Sequence, residues 1–434
     1  MLAALLMLLQ AGPEVAAGPM VGHVAPDHAR VWVQGSQAGW FALELRIQGE
    51  SAWQRAPGYL DRGARPACDP QRALTAVIEV GGLMPATTYE YRLLTRDGPI
   101  APASEQSFRT PPLPGQAEDF SVAFGSCAGD WGADPSQAIF RAVDAQHPQV
   151  FLWLGDNVYY KREDADWEEP ARMWARWKKQ RALPNLQPLL ARSAHYAVWD
   201  DHDYGPDDTD RLFPLRDVSL AVFTSYWANP GYGTGGAPGV WHRFTRGRVE
   251  FFLLDTRYHR DPGWMEPAAG KTLLGREQWE WLEAALRASS ADFKVIVSAT
   301  QVLARYHAYE SWNLYPHDRE RLLGIITRHR IGGVLFLSGD RHMGEVLRWT
   351  PPETPYPLYE LTASPLAAGL HDTVPDEQAR DRIPGSVVRA EHFALLEFRF
   401  PDAAPPLVRC TPMDVSGNPL RSPLELRLTD LQPR

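Results

Sequence analysis

Three cysteines in 434 residues, Cys68, Cys127 and Cys410, are too few to staple a disulfide scaffold, so the chain must hold itself together by its own cores. Cys68 and Cys410 could pair in an oxidising compartment or stand as two unrelated thiols. Lys and Arg never cluster, and 44 basic against 53 acidic residues leave a net charge of −9, which excludes a surface built for nucleic-acid backbones. Internal repeats and low-complexity segments are missing, and so is any apolar run long enough to cross a membrane. Met1 to Leu9 is apolar for too short a distance to span but long enough for a signal-peptide core, with Val15-Ala16-Ala17 as a small-residue cleavage site. A basic residue ahead of that run, normal in such signals, is lacking. The expectation is a signal peptide over residues 1–17 and export to the periplasm or the extracellular space.

What is present fits more than one core. A chain of 434 residues exceeds the roughly 250–300 that one core supports. Sixteen Trp and fifteen Tyr supply large apolar volume for cores or for aromatic-walled clefts. Residues 18–112 read as an all-β domain: Ala29 to Val33, the alternating Phe41, Leu43, Leu45 and Ile47, and Leu74 to Val80 are separated by Gly, Pro and Asp turns. Leu83-Met84-Pro85-Ala86-Thr87-Thr88-Tyr89 resembles the tyrosine corner of fibronectin type III modules, with Tyr89 bonding back to the backbone. Thr110 to Gly115 reads as a stiff linker, after which residues 113–434 alternate strands with helical patterns. Helices are expected over 135–145, 169–179 and 275–286, with their tryptophans in the core, and Ala394 to Phe400 and Leu407 to Thr411 return to a sheet.

Five buried-strand patterns end on chemistry. Ser121 to Phe124 leads into Gly125-Ser126-Cys127, Phe151 to Leu154 into Gly155-Asp156-Asn157-Val158-Tyr159, and Tyr196 to Trp199 into Asp200-Asp201-His202-Asp203. Phe251 to Leu254 leads into Asp255-Thr256-Arg257, and Val334 to Leu337 into Ser338-Gly339-Asp340-Arg341-His342. Ligand sites in α/β folds sit beyond the carboxyl ends of such strands. A single Asp there is ordinary turn chemistry, Cys127 alone reads as a buried thiol and Tyr159 as a core tyrosine. Four adjacent ionisable groups after a buried strand are costly unless paired or metal-bound. Asp207, Asp208 and Asp210 read as a solvated loop, and His307, His317 and His329 belong to no cluster.

In that order, the five motifs resemble those of the alkaline phosphatase D (PhoD-like) family of metallophosphoesterases. The resemblance extends to the tyrosine-corner domain, to Trp312-Asn313-Leu314-Tyr315-Pro316 and to Glu360-Leu361-Thr362-Ala363-Ser364-Pro365, while a twin-arginine signal is missing. It implies an α/β metallophosphoesterase-type sandwich of mixed sheets flanked by helices, behind an N-terminal fibronectin type III-like sandwich.

Chemically, thiolate, phenolate and carboxylate from Cys127, Tyr159 and Asp156 suit trivalent iron, and the resemblance implies iron there, completed by His342. A second ion sharing Asp156 and taking Asp201 and Asp340 would be a hard divalent cation, calcium first, with manganese, magnesium or zinc as alternatives. Two such ions, about 3.5–4 Å apart, would hold a bridging hydroxide for in-line attack on phosphorus. His202 is the candidate general acid, oriented by a carboxylate such as Asp203. Arg257 is expected either to fork onto phosphate oxygens or to pair with Asp255. Gln301, Trp312, Asn313 and Tyr315 are expected to line the pocket. The expected partner is a small phosphate ester, with a monomer favoured. Alternatives are a phosphodiesterase or phospholipase-type enzyme on lipid head groups, and a non-catalytic secreted binding protein.

Overall fold

The computed structural model describes residues 12–56, 68–102, 105–131, 134–306, 309–351, 354, 356–371 and 380–433. The N-terminal apolar run and His307 lie outside them. The first strands are β1 (Val15–Val24), β2 (His28–Gly35), β3 (Ala42–Ile47), β4 (Gln54–Arg55), β5 (Thr75–Gly81), β6 (Thr88–Thr95), β7 (Gly98–Pro99) and β8 (Ser107–Arg109). They form two antiparallel sheets, β1-β2-β5 and β4-β3-β6-β7 with β8 on β6. Alternation along β6 puts Tyr89, Tyr91 and Leu93 inside, and the Met84 amide donates to the Tyr89 hydroxyl at 2.8 Å, closing the corner. The small-residue segment 15–17 is part of β1, with Val15 opposite Gly35 and Ala17 opposite Gln34.

The larger part contains β9 (Phe120–Gly125), β10 (Val150–Leu154), β11 (Ala194–Val198), β12 (His242–Arg246), β13 (Val249–Leu253), β14 (Phe293–Val297), β15 (Val334–Ser338), β16 (Glu345–Trp349), β17 (Leu358–Thr362), β18 (His392–Arg399), β19 (Leu407–Asp414) and β20 (Leu424–Arg427). One six-stranded sheet runs β11-β10-β9-β18-β19-β20 and the other β12-β13-β14-β15-β17-β16. Both are mixed: β9, β10 and β11 are parallel, as are β13, β14, β15 and β17, while β18 returns antiparallel beside β9. Four of the five strands that end on chemistry are buried along their whole length and β9 at all but Ser121, as strands covered on both faces are. The sheets meet through aromatic rings, with Phe398 of β18 against Phe251 and Phe293 at 6.1 and 5.5 Å.

The α-helices of the described residues are α1 (Ile139–Ala145), α2 (Pro170–Arg181), α3 (Gln187–Arg192), α4 (Asp201–Tyr204), α5 (Arg216–Tyr226), α6 (Gly275–Ala288) and α7 (Pro316–Arg328). Helix α6 buries Trp279, Leu282 and Leu286 on one face, as its spacing predicts. Helix α1 starts later than expected, because the Asp134 side chain bonds the amides of Ser136 and Ala138 and holds that stretch in a turn. All three cysteines are free and buried, so Cys68 and Cys410 are separate core thiols.

The linker reading of Thr110 to Gly115 needs revision. Thr110 is buried, its hydroxyl donates to the Met84 carbonyl at 2.6 Å, and the Gly115 amide bonds Gly247 across to the hairpin of β12 and β13. The N-terminal sheets are also welded to the rest by a buried cation. The Arg181 guanidinium lies over Trp227 at 4.2 Å, Trp32 at 5.6 Å, Trp177 at 5.9 Å and Trp153 at 6.0 Å. Trp32 comes from β2, the others from the larger part. Burial pulls the Arg181 pKa down to about 9, and its Nη2 donates to the Tyr226 carbonyl at 3.1 Å. Trp32 further donates its indole N–H to the Ser225 carbonyl at 2.7 Å. Excising residues 18–112 would therefore uncover a charge and its aromatic shell. Trp32→Ala is expected to cost about 3–5 kcal/mol, read from the midpoint of urea unfolding. A loss below ~0.5 kcal/mol, as at an ordinary surface site, would show that the sandwich is not part of the core.

Candidate metal centre

The parallel strand ends deliver their tips to one place, but only through unusual backbone. Cys127, Asp156, Asp340 and His342 all have positive φ, at 61°, 50°, 69° and 50°. Non-glycine residues held there cost of order 1–3 kcal/mol each and cluster at functional sites. Two glycines make the turns possible. A Cβ on Gly155, itself at φ 98°, would stand 2.6 Å from the Asp200 Cβ, and one on Gly339 would stand 2.3 Å from the Ser126 hydroxyl. Ser126 and Ser364 stitch the tips together. The Ser126 hydroxyl accepts from the Asp340 amide at 3.1 Å and contacts the Cys127 sulfur at 3.3 Å, while Ser364 accepts from the His342 amide at 3.0 Å and donates to that sulfur at 3.1 Å.

The donors then converge. Cys127 Sγ lies 3.4 Å and the Tyr159 hydroxyl 3.0 Å from Asp156 Oδ2, and that hydroxyl is 3.2 Å from His342 Nε2. Donor atoms of Cys127, Asp156 and His342 all fall within 4.8 Å of one another, and so do those of Asp156, Asp201 and His202. Asp156 belongs to both sets. Asp340 is in neither, yet its charge acts on Asp156 and Asp200, and the charge of Asp201 acts on it.

The cluster Asp200-Asp201-His202-Asp203 divides into two jobs. Asp200 and Asp203 form a capping box on the one-turn helix α4, and the Asp203 carboxylate also takes the Asn157 amide at 3.1 Å. Asp203 is thus turned away from His202 and does not orient it. The acidic group near that imidazole is Asp207, 3.6 Å from Nε2, and Asp208 donates its amide to Asp201 at 2.8 Å, so these two loop residues belong to the rim of the site. His202 is 29% exposed, its ring 4.4 Å from that of Tyr159.

Arg257 is 0% exposed, and its five N–H donors are all committed. Nε and Nη2 reach Asp200 Oδ1 at 2.6 and 2.5 Å, Nη1 bonds the Thr209 carbonyl at 3.1 Å and Glu310 Oε1 at 2.9 Å, and Nη2 bonds Glu310 Oε2. Nothing is left for a phosphate. Arg257 is a buried ion-pair hub, and Asp255, the partner suggested by proximity in sequence, instead accepts the backbone amides of Arg257 and Tyr258 and the Trp199 indole. Glu310, also paired with Arg260, carries no sequence signal beyond standing two residues ahead of Trp312. Gln301, Trp312, Asn313 and Tyr315, expected to line the pocket, each bond within the protein. Gln301 bonds Glu345 and Thr362, Trp312 bonds Ser298, Asn313 bonds Arg319 and Tyr315 bonds the Asp261 carbonyl.

The electrostatics ask for cations. Burial first, and then the neighbouring carboxylates, push Asp156 and Asp340 well above the usual carboxylate range, and burial outweighs Arg257 to do the same at Asp200. Asp201 goes the other way, because the charges of His202 and Arg257 and the Asp208 amide outweigh burial. Burial, with His371 and His202 nearby, lowers His342 to about 4, so its imidazole is a neutral donor at pH 7. Four carboxylates, a thiol, a phenol and a neutral imidazole crowded out of water fit a pair of metal ions, and one Oδ of Asp200 is buried with no hydrogen-bond partner.

The family model of PhoD-like phosphatases matches residues 122–399, more than half of the chain. The chain belongs to the PhoD-like phosphatase family. Residues 12–113 match a second model, a domain of unknown function (DUF7800). The chain is 24% identical over 327 residues to alkaline phosphatase D of Bacillus subtilis strain 168, covering 63% of this chain and 54% of that protein, about half its length. Among solved structures, one titled as that of PhoD is similar at a TM-score of 0.77 and 18% identity, covering 96% of this chain and 90% of the other. The purple acid phosphatase PPD1 from yellow lupin (Lupinus luteus) seeds is similar at 0.67 and 14% identity, covering 96% and 74%. At such identities these two support the mixed-sheet fold.

As the hub of this PhoD-like site, Arg257 offers a clear test. Arg257→Gln strands Asp200 and Glu310, and is expected to cost about 3–5 kcal/mol of stability and to lower metal content. A variant of unchanged stability with only a raised KM would return Arg257 to the substrate.

Proposed function

We propose that this PhoD-like chain hydrolyses phosphate esters at a two-metal centre held by Cys127, Asp156, Tyr159 and His342 on one side and by Asp156, Asp201 and Asp340 on the other. The observation that carries the reading is Asp156, whose carboxylate falls in one donor set with Cys127 and His342 and in another with Asp201 and His202, while Asp340 joins the second side through its charge coupling to Asp156 and Asp201. The thiol and phenol favour trivalent iron on the first side, and the all-carboxylate set favours a hard divalent ion, calcium first, on the second. Such a pair supplies Lewis acidity toward phosphoryl oxygens and makes water acidic enough to attack near neutral pH.

The remaining work falls to the protein. Asp156 is aimed by its αL backbone and by the His202 amide, which donates to Oδ1 at 3.3 Å. His202 sits at the opening with its imidazole partly in solvent, beside Asp207, where it can protonate a departing alcohol and regain a proton from water. Residues 18–112 belong to the proposal as a fibronectin type III-like sandwich that braces the catalytic part. Export through the N-terminal apolar run belongs to it too, with processing before β1 rather than at Ala17, because Ala17 is paired inside the strand.

Strong chelators are expected to abolish hydrolysis of phosphate esters, and Tyr159→Phe to remove or shift a broad visible absorption of the iron form. A colourless, metal-free preparation at full activity would contradict both. His202→Ala is expected to keep its metals and lose turnover by about 10²–10⁴-fold on alkyl phosphates, with a much smaller loss on nitrophenyl phosphate, whose leaving group departs unaided. Equal losses on both substrates, or a lost ion, would make His202 a ligand, in keeping with its place in the donor set with Asp156 and Asp201.

A further inference from the structure

Eight large apolar side chains are conspicuously exposed among the described residues, and three of them gather around the mouth of the metal centre: Trp131 at 49%, Tyr309 at 45% and Leu370 at 50%. The Trp131 ring stands edge-on to Tyr159, their centroids 4.2 Å apart. It is also a neighbour of Ala368, since a Cβ on Gly129 would meet both at 3.0 and 3.2 Å. The segment that follows carries Leu370 and then His371, whose ring is 5.8 Å from His342 on one side and 6.1 Å from Tyr309 on the other. Tyr309, Asp340, Arg341 and His371 enclose a small pocket, and the Arg341 guanidinium lies over the Tyr309 ring at 5.1 Å. An apolar and aromatic rim therefore runs from the Tyr159 side of the donors, past His342, to the Asp340 side.

Eight other tryptophans are fully buried, and of the two that stand exposed among the described residues, Trp264 and Trp131, it is Trp131 that packs against a donor, Tyr159. Apolar surface collected at an opening, while the floor beneath it is made of carboxylates, marks a binding site rather than a scatter of surface residues. The floor takes the phosphoryl group. What remains of the ester must lie against the rim, whose rings offer faces and edges to another flat apolar group and little hydrogen bonding to a small polyol.

We propose that Trp131 and Tyr309 are specificity-determining residues that select phosphate esters whose alcohol bears a flat, apolar group. The inference rests on the phosphoesterase reading above and names the substrate class of that same site.

Benzyl phosphate and ethyl phosphate separate recognition from chemistry, because both release primary alkoxides of similar basicity. The measurement is the ratio of their kcat/KM values in the metal-loaded full-length protein and in Trp131→Ala and Tyr309→Ala, with metal content and thermal unfolding followed in parallel. Benzyl phosphate is expected to be preferred by about tenfold or more, with each substitution cutting that ratio roughly three- to tenfold, mainly through KM for the benzyl ester. Two positions on separate segments guard against a folding defect in either variant. Equal use of both esters by the unaltered protein, or a preference untouched by both substitutions, overturns the inference and leaves the phosphoesterase reading intact. Hydrolysis of neither ester overturns the inference, and a metal-loaded protein equally inert toward nitrophenyl phosphate overturns the phosphoesterase reading as well.

Discussion

The arrangement depends on like charges forced together out of water. Asp156, Asp200, Asp201 and Asp203 are buried and Asp340 lies partly exposed beside them, all from three strand ends, with Arg257, Arg260 and Arg341 among the nearby buried cations. Carboxylates in that position either hold protons or find positive charge. Arg257 offsets Asp200 and Glu310 on one side, and the metal ions are proposed to offset the rest. The same constraint explains why the guanidinium is buried and saturated: a cation free to reach substrate would leave Asp200 uncompensated.

Rigid surroundings keep this costly set in place. Four proposed ligands sit in left-handed backbone, a conformation that persists only where packing overdetermines it. The packing is supplied by two facing sheets whose parallel strands are buried throughout, by Ser126 and Ser364 tying two tips to a third, and by the tryptophan shell of Arg181 bracing the sandwich against the larger part. Removed from that frame, Cys127 or His342 would relax to ordinary backbone and the donors would separate. The N-terminal sheets contribute no proposed ligand and are tied to the larger part through Trp32 and the Arg181 shell.

Much of this was legible in the chain because buried parallel strands write themselves as short apolar runs, and although one Asp, Cys or Tyr past such a run has an ordinary use, five tips that end on such groups do not. The tips at Cys127, Asp156, Asp201 and His342 could be read that way, and so could the tryptophans of α6 and the tyrosine corner at Tyr89. What could not be read is contact between distant segments. Glu310 lies 53 residues from Arg257, and only the fold shows that it fills the guanidinium fork, which is why Arg257 invited a phosphate-binding role. Asp203 and His202 are adjacent in sequence but find different partners, Asp203 the Asp200 and Asn157 amides and His202 the neighbourhood of Asp207 and Tyr159. Positive φ at Cys127, Asp156, Asp340 and His342 leaves no mark either, since none of them is glycine. Asp207 and Asp208 looked like a solvated loop because acidic residues in an exposed turn usually are; their bond and proximity to Asp201 exist only in three dimensions.

The central claim is that one carboxylate joins two metal sites, and the metal count of Asp156→Ala tests it most directly. Elemental analysis of the purified wild-type protein is expected to give two ions per chain, and of this variant, folded and similarly stable, to show both sites depleted together because each loses a ligand. A variant that keeps one ion at full occupancy, or a wild type that binds only one, would contradict a shared Asp156 and the two-metal centre with it.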